Sequence, residues 1–541
     1  MKEKNLGGYY MGEKSIGRGV IILSISSIIL KLLSALYMPV LSYILTDEGI
    51  AIYTVGYDVF VFLFALTSLG VQPAITKVVA EYRVKESGKS DLQVLKVSRN
   101  ILCIYGGIVS LLFAVLAKPL SILLNSEQSV WVFVFLSPAV LIASILTAYR
   151  GYFQGCNDMI SLSVSNIIEQ VLNVVFSLIF ALQLMQFSIR WGSTGGTVGT
   201  TVGAVGAIIY IKYIMNKKYI NKSDFNKQAL TKAKKNEILK TLFTYAVPFI
   251  LIAAIQNVSN VIDVITIRNL IENDVNIKTA TLKYYTTIIN VPLVIVTSLG
   301  IGIFPKIIKG YIEKNKRELM IQTSYFYKLT YIITMPAVCG LMILSKEIFH
   351  FVFGRTFGYE VLLMGAVALL FMALTTIQNI VLQGMNEFKF IINLGIITII
   401  IKTLINVILI RIDRINIMGA VIATIVSLMI ATVVNHRKLQ KAFDVKIPIV
   451  KQSKTSIISA MIMSVVLLGL KYVIVRRFFM ENYTRISAGI VIFILIIVGA
   501  AVYFAVLLLI GGITKYELDT VSPKIYELMP QRLKDKIVKV N

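Results

Sequence analysis

Charge is scarce in this chain of 541 residues: 15% of it is Asp, Glu, Lys or Arg, against roughly a quarter in soluble domains. Acidic residues are scarcer still, with 28 Asp and Glu beside 54 Lys and Arg, a net charge of +26. There are two histidines and three cysteines. His350 and His436 are far apart, and no HExxH, P-loop or nucleotide-binding glycine motif occurs, so metal-assisted and nucleotide chemistry have no sequence support. Cys103, Cys156 and Cys339 lie in or beside apolar segments too widely spaced for a disulfide framework. No small-residue cleavage pattern follows the first apolar run. Gly19–Ile44 is too long for a signal-peptide core and reads as a retained first span.

What the chain has in abundance is apolar surface. Hydrophobic residues make up 57% of it and the mean hydropathy is +0.79. A single globular core stops growing near about 250–300 residues, so the excess must face lipid. A spanning helix needs about 20 apolar residues. Fourteen segments qualify, near 19–44, 50–76, 100–117, 129–148, 160–184, 196–215, 241–267, 284–305, 326–345, 358–383, 388–410, 416–435, 455–475 and 486–512. Counting Lys and Arg within four residues of a span end with the adjoining loop, 39 fall on the side of the termini, 13 on the other, and two, Lys31 and Lys402, deep within spans. Such a bias places both termini in the cytoplasm. It also accounts for the basic loops without nucleic acid, the other reading of clustered charge.

The expected fold is an all-α polytopic membrane protein with two six-helix lobes (1–216 and 241–436), joined by a basic cytoplasmic linker (217–240). A second basic linker (437–454), a further helix pair (455–512) and a cytoplasmic tail (513–541) complete it. The linkers, Lys217–Lys240 and Arg437–Lys454, suit anionic headgroups, and the loosely helical Tyr516–Val540 suits the membrane surface. Three short matches suggest that the lobes are copies. Thr67–Gly70 reappears as Thr297–Gly300, Gln154–Asp158 as Gln383–Glu387, and Gly196-x-Val198-x-x-Thr201 as Gly419-x-Val421-x-x-Thr424, at offsets of 230, 229 and 223. The alternative is chance similarity in apolar sequence. Copies with an even number of spans share one orientation, and transporters so built hold substrate between the halves near the midplane.

Charges within spans are the candidate functional residues. Lys31 lies about 18 Å from either end of its span at 1.5 Å per residue, beyond the reach of a snorkelling lysine. It should face a wet interior or an anion. Lys402, about nine residues from a span end, can half-snorkel or point inward. Asp58, Glu169 and Asp263 are the acidic counterparts. Each is able to pair with Lys31, to bind a proton or sodium ion, or to sit protonated on a packed face. Gln256, Asn260 and Asp263 share one helix face. Such a stripe lines a cavity or bonds neighbouring helices. A cavity holding a fixed cation favours an anionic or zwitterionic head group.

At Tyr149–Gly155 (YRGYFQG), followed by Ile167–Gln170 (IIEQ), the chain resembles the polysaccharide-exporter and lipid II flippase branch of the multidrug/oligosaccharidyl-lipid/polysaccharide superfamily. MurJ-type lipid II flippases and stage V sporulation protein B relatives are similar in pattern. Thr67–Val79, Leu382–Lys389 and Lys402-x-x-x-Asn406 are further matching stretches, and the likeness runs from about Gly17 to Gly512. The resemblance implies fourteen spans and lateral export of an undecaprenyl-diphosphate-linked precursor through a cationic cavity. It makes Lys31, Lys283, Lys402, Gln256 and Asn260 the candidate substrate contacts, and Asp58, Glu169 and Asp263 the coupling candidates. The sequence departs from the family pattern twice. Tyr37 stands where the family tends to have a second cation, and Thr287 where it has another, with Lys283 one turn earlier. Either Lys283 substitutes geometrically or the head group is less anionic.

No enzyme activity, cofactor or metal is expected; a sodium ion or proton is the candidate coupling ion. The expected partners are the bilayer and a lipid-linked oligosaccharide, with the protein a monomer. The competing readings are an exporter of another lipid-linked polysaccharide unit, a cation-coupled multidrug exporter of the same superfold, a membrane glycosyltransferase or polymerase, and a non-transporting assembly partner. Multidrug exporters of that superfold typically have twelve spans and an anionic cavity, so Lys31 and the extra helix pair argue against that class.

Overall fold

The computed structural model describes residues 13–85, 91–219, 231–444, 449–478 and 484–513. Among them there is no strand. Sixteen α-helices follow one another: α1 Glu13–Phe64, α2 Gln72–Lys85, α3 Asp91–Val115, α4 Ala117–Leu123, α5 Val130–Gly155, α6 Met159–Met185, α7 Ile189–Lys218 and α8 Lys232–Leu270 in the first half. The second half holds α9 Val275–Ile312, α10 Lys316–Ile343, α11 Ser345–Phe353, α12 Tyr359–Gly384, α13 Phe388–Ile410, α14 Met418–Phe443, α15 Ile449–Phe478 and α16 Arg485–Leu509. Every one of the fourteen expected spans overlies a helix. The first two fall in one long helix that breaks at Thr46, where φ is 62° and ψ −178°. Twelve helical segments among the described residues are long and apolar enough to cross a membrane. The three cysteines are free thiols. The tail segment Tyr516–Val540 lies outside the described residues, as does 220–230 of the first linker. The second linker is largely helix, because α14 runs on to Phe443 and α15 begins at Ile449. Lys, Gln and Leu are good helix formers, so spans extend into water without a break.

Side chains mark several helix starts. Asp158, Ser188, Asn315 and Thr484 each accept a hydrogen bond from the backbone N–H three residues on, satisfying a donor that the helix leaves open.

The chain divides into two compact units, 1–287 with 387–423, and 288–386 with 424–541. In the first, α6 and α7 form a tight hairpin. Gly195, Gly199 and Gly203 recur every fourth residue on α7, where side chains would strike the backbone of α6. Small residues in this spacing let helices approach where lipid supplies no hydrophobic drive. One apolar core of this unit gathers Val78, Tyr152, Phe153 and Ile211, and another Val55, Phe113, Phe133 and Leu136. Trp131 and Trp191 stack at 5.6 Å near the starts of α5 and α7, as aromatic residues do at a membrane interface.

In the second unit, α15 and α16 pack with α10 around Met463, Leu495 and Tyr503. Arg485 donates to the carbonyls of Phe351 and Val352 at 2.7 and 2.8 Å, closing the end of α11. Lys471 pairs with Glu347 at 2.8 Å. Ile486, Phe493 and Ile497 remain exposed on α16, an outward apolar face suited to acyl chains.

Candidate functional site

Three ion pairs of the first unit involve the acidic residues singled out within spans. On α8, Ser259 and Asp263 are one turn apart, and on α13 so are Lys402 and Asn406, so each helix presents two polar groups on one face. The four meet. Lys402 Nζ donates to Asp263 Oδ2 at 2.7 Å and to Ser259 Oγ at 2.6 Å, with the Ser259 carbonyl at 3.3 Å. Asn406 Nδ2 donates to Asp263 Oδ1 at 2.8 Å and lies 3.2 Å from Thr266 Oγ1. Lys402 is 3% exposed and Asp263 6%. Of the two positions open to Lys402, snorkelling is therefore not the one adopted. Its three N–H donors are all engaged, because an amine withdrawn from water must find acceptors in the protein.

The second pair joins α1 to α9. Lys283 Nζ donates to Asp58 Oδ1 at 2.6 Å and stands 5.1 Å from the ring centroid of Tyr57. Both side chains are only slightly exposed. The third joins α5 to α6: Arg150 Nη1 lies 2.6 Å from Glu169 Oε2, with Nε and Nη2 on Ser165 Oγ. The acids thus have cationic partners other than the one weighed from sequence. The side chain of Lys31 lies outside the described residues, although its backbone is helical in α1. Gln256 and Asn260 are exposed, and Asp263, on the same face, is buried.

Tyr37 and Thr287 carry packing in place of charge. The Tyr37 hydroxyl donates to the Gly196 carbonyl at 2.9 Å, and Thr287 Oγ1 bonds back to the Lys283 carbonyl at 2.8 Å. Sequence reasoning overlooked Arg150, Ser259, Ser165 and Asn406 as site residues. The i, i+4 spacings Ser259/Asp263 and Lys402/Asn406 were the available signal; which helix faces which was not.

The YRGYFQG stretch proves to be a packing device. A Cβ on Gly151 would come within 2.8 Å of Ile75 on α2, and one on Gly155 within 2.7 Å of Val79. Gln72 Nε2 donates to Gln154 Oε1 at 2.9 Å across the same seam. Asn157 then turns the chain at φ 60°. The corresponding Gln383–Glu387 repeats this locally: Asn386 has φ 62°, and a Cβ on Gly384 would meet Ile307 at 2.8 Å. The Thr67–Gly70 copies differ, since Ala65–Leu69 forms a π-helical turn while Thr297–Gly300 continues α9. Beyond α5, Asp158 receives Lys218 Nζ at 2.9 Å. Burial acts to raise its carboxyl, but the hydrogen bonds from Lys218 and Ser161 outweigh that and hold it below the ordinary value of 3.8.

The model of the family described as "Polysaccharide biosynthesis protein" matches residues 16–311, more than half of the chain. The chain belongs to the polysaccharide biosynthesis protein family. Over 518 residues it is 23% identical to the lipid II flippase MurJ of Bacillus subtilis (strain 168), covering 90% of this chain and 94% of that protein. Stage V sporulation protein B of the same organism is 22% identical over 450 residues, 81% of this chain and 86% of its own. Among solved structures, lipid II flippase MurJ in an inward closed conformation superposes with a TM-score of 0.65 at 15% identity, covering 90% of this chain and 98% of that one. An inward-facing multidrug resistance MATE family transporter of the MOP superfamily gives 0.65 at 16%, covering 78% and 99%. The protein is a multi-pass membrane protein with the helical fold of that superfamily.

Proposed function

We propose that the chain is a flippase moving an undecaprenyl-diphosphate-linked cell-wall precursor, lipid II above all, across the cytoplasmic membrane by alternating access, with both termini in the cytoplasm. The observation that carries this reading is the set of ion pairs inside the spans. Charges cost about 2.5–3.5 kcal/mol each at a helix centre even on insertion scales, and a family of purely structural bundles has no use for them. Membership of a polysaccharide biosynthesis family supports a lipid-linked glycan as substrate, and similarity to a lipid II flippase over 90% of the chain favours lipid II.

Lys31 is the proposed grip on the diphosphate, with Lys283, Gln256 and Asn260 as further contacts. Lys402, saturated by Asp263 and Ser259, takes the role of a positioning residue that fixes α13 to α8. Asp58, Glu169 and Asp263 remain the proposed coupling carboxylates for a sodium ion or proton. MurJ is a lipid II flippase and the MATE protein a transporter by name, which supports a transport role over catalysis. The multidrug resistance MATE transporter shares the fold, but its structural likeness covers 78% of this chain against 90% for the flippase.

Depletion in the native cell should cause an undecaprenyl-linked intermediate to accumulate on the cytoplasmic side; drug sensitivity without such accumulation would favour the exporter. In proteoliposomes, Lys31→Ala should slow lipid II translocation at least about tenfold, the effect of losing ~1.4 kcal/mol of binding. Translocation at the wild-type rate by both Lys31→Ala and Lys31→Glu would end the cationic-grip mechanism.

A further inference from the structure

A basic hollow in the first unit takes no part in these ion pairs. It has a volume of about 210 Å³ and is lined by Lys96 and Arg99 of α3, Tyr149 of α5, and Lys212 and Asn216 of α7, with no carboxylate among its lining residues. Among the described residues, Arg99 makes hydrogen bonds only to the neighbouring Asn100. Lys96 and Lys212, both exposed, have no ion pair or hydrogen bond among the described residues. Three cations converge without neutralisation, which calls for an anion.

Depth and surroundings say which anion. Lys96 lies five residues inside the start of α3 and Lys212 six before the end of α7, hence about 7–9 Å along each helix. A 30 Å hydrocarbon core leaves roughly 4 Å of α3 and 7 Å of α7 beyond it at each end, and the lysine stems span the remaining few ångströms, so the ammonium groups stand at headgroup level. Deeper on α3, Ile104, Ile108 and Leu111 are exposed, and on α7 so is Ile209, one turn below Lys212. Cationic hollow and apolar slope are continuous along the same two helices. A free phosphate would use only the upper part. The geometry points to a binding site for an anionic phospholipid, its phosphate held by Lys96, Arg99 and Lys212 and its acyl chains laid along α3 and α7. Basic pockets between spanning helices are general receptors for such lipids. This site is separate from the proposed precursor path, so its test does not depend on flippase activity.

The full chain, reconstituted in nanodiscs of phosphatidylcholine with a fifth phosphatidylglycerol, is analysed by native mass spectrometry for retained lipid. The wild type should hold one phosphatidylglycerol in preference to phosphatidylcholine. Each of Lys96→Gln, Arg99→Gln and Lys212→Gln should weaken that retention about fivefold, as expected for ~1 kcal/mol per cation. The triple variant should lose it while keeping the wild-type melting temperature. Removing three charges elsewhere, by Lys309→Gln, Lys314→Gln and Lys316→Gln, should leave it intact. Equal loss in both triple variants would reduce the effect to net charge and overturn the site. Displacement of the lipid by millimolar inorganic phosphate would overturn the phospholipid assignment in favour of a free anion.

Discussion

At the scale of single residues, the membrane-embedded pair Lys402–Asp263 carries the sharpest expectation. Their side chains are 4% and 8% exposed at a separation of 2.7 Å. Removing either partner alone leaves a buried charge, which costs about 3–5 kcal/mol, whereas replacing both by apolar groups is close to neutral. Lys402→Met and Asp263→Leu should each lower the melting temperature sharply in detergent, and the double variant should recover most of the loss. Equal additive losses would show that the two do not interact. Outside the spans, the Asp158 carboxyl is held below its ordinary value by Lys218 and Ser161, against the opposing effect of burial. A depressed folded value means stabilisation present above pH 3.8 and lost as pH falls through the lower folded value. Asp158→Asn should flatten that acid limb in melts followed between pH 6 and 3. The carboxylates of the three pairs were visible in the sequence because charge in an apolar run is conspicuous. Lys402 and Lys283 were picked out as well and Arg150 was not, but which acid each cation meets was hidden, since pairing across helices 139 residues apart, as for Asp263 and Lys402, depends on packing that no local spacing encodes.

At the scale of elements, glycine and one strained threonine set the geometry. Gly155 lets α5 rest on Val79 of α2. Gly155→Leu should cost about 1–3 kcal/mol by overpacking, and Val79→Ala in the same chain should restore part of it. Thermal melts of the two variants decide this. Thr46 breaks α1 in a backbone region that glycine alone adopts freely, at a cost of order 1–3 kcal/mol. Just beyond it, Asp47 accepts a hydrogen bond from Tyr284 on α9 at 2.8 Å, which holds the break in place. Thr46→Gly should therefore raise the melting temperature. The break was only half legible: two runs separated by Leu45–Gly49 were read as two spans, and the backbone does break at Thr46, but nothing in the sequence announced that the helix would resume without a loop. The YRGYFQG stretch was legible as a signature and opaque as to purpose, because a glycine records only that something comes close.

At the scale of the molecule, hydropathy alone sufficed for the all-helical, multi-pass architecture, since a bilayer admits only helices or closed barrels. The excess of basic residues on one side carries the proposal that both termini are cytoplasmic. A reporter active only outside the cell, fused after Asn541 or before Met1, should stay silent, while one inserted between α5's start and Asn125 should be active. Signal from a terminal fusion would reverse the orientation. The two compact units do not follow the order of the chain, since 387–423 joins the first. Linear reading groups neighbours in sequence, and long-range packing of α13 with α8 is what regroups them.

The stacked indoles of Trp131 and Trp191 are the whole tryptophan content of the protein. All its indole fluorescence therefore arises at one end of one pair of helices. With the proposed orientation, a membrane-impermeant quencher added outside intact vesicles would extinguish the emission of right-side-out molecules and spare inverted ones. The chain carries its own optical gauge of which way round it has been inserted.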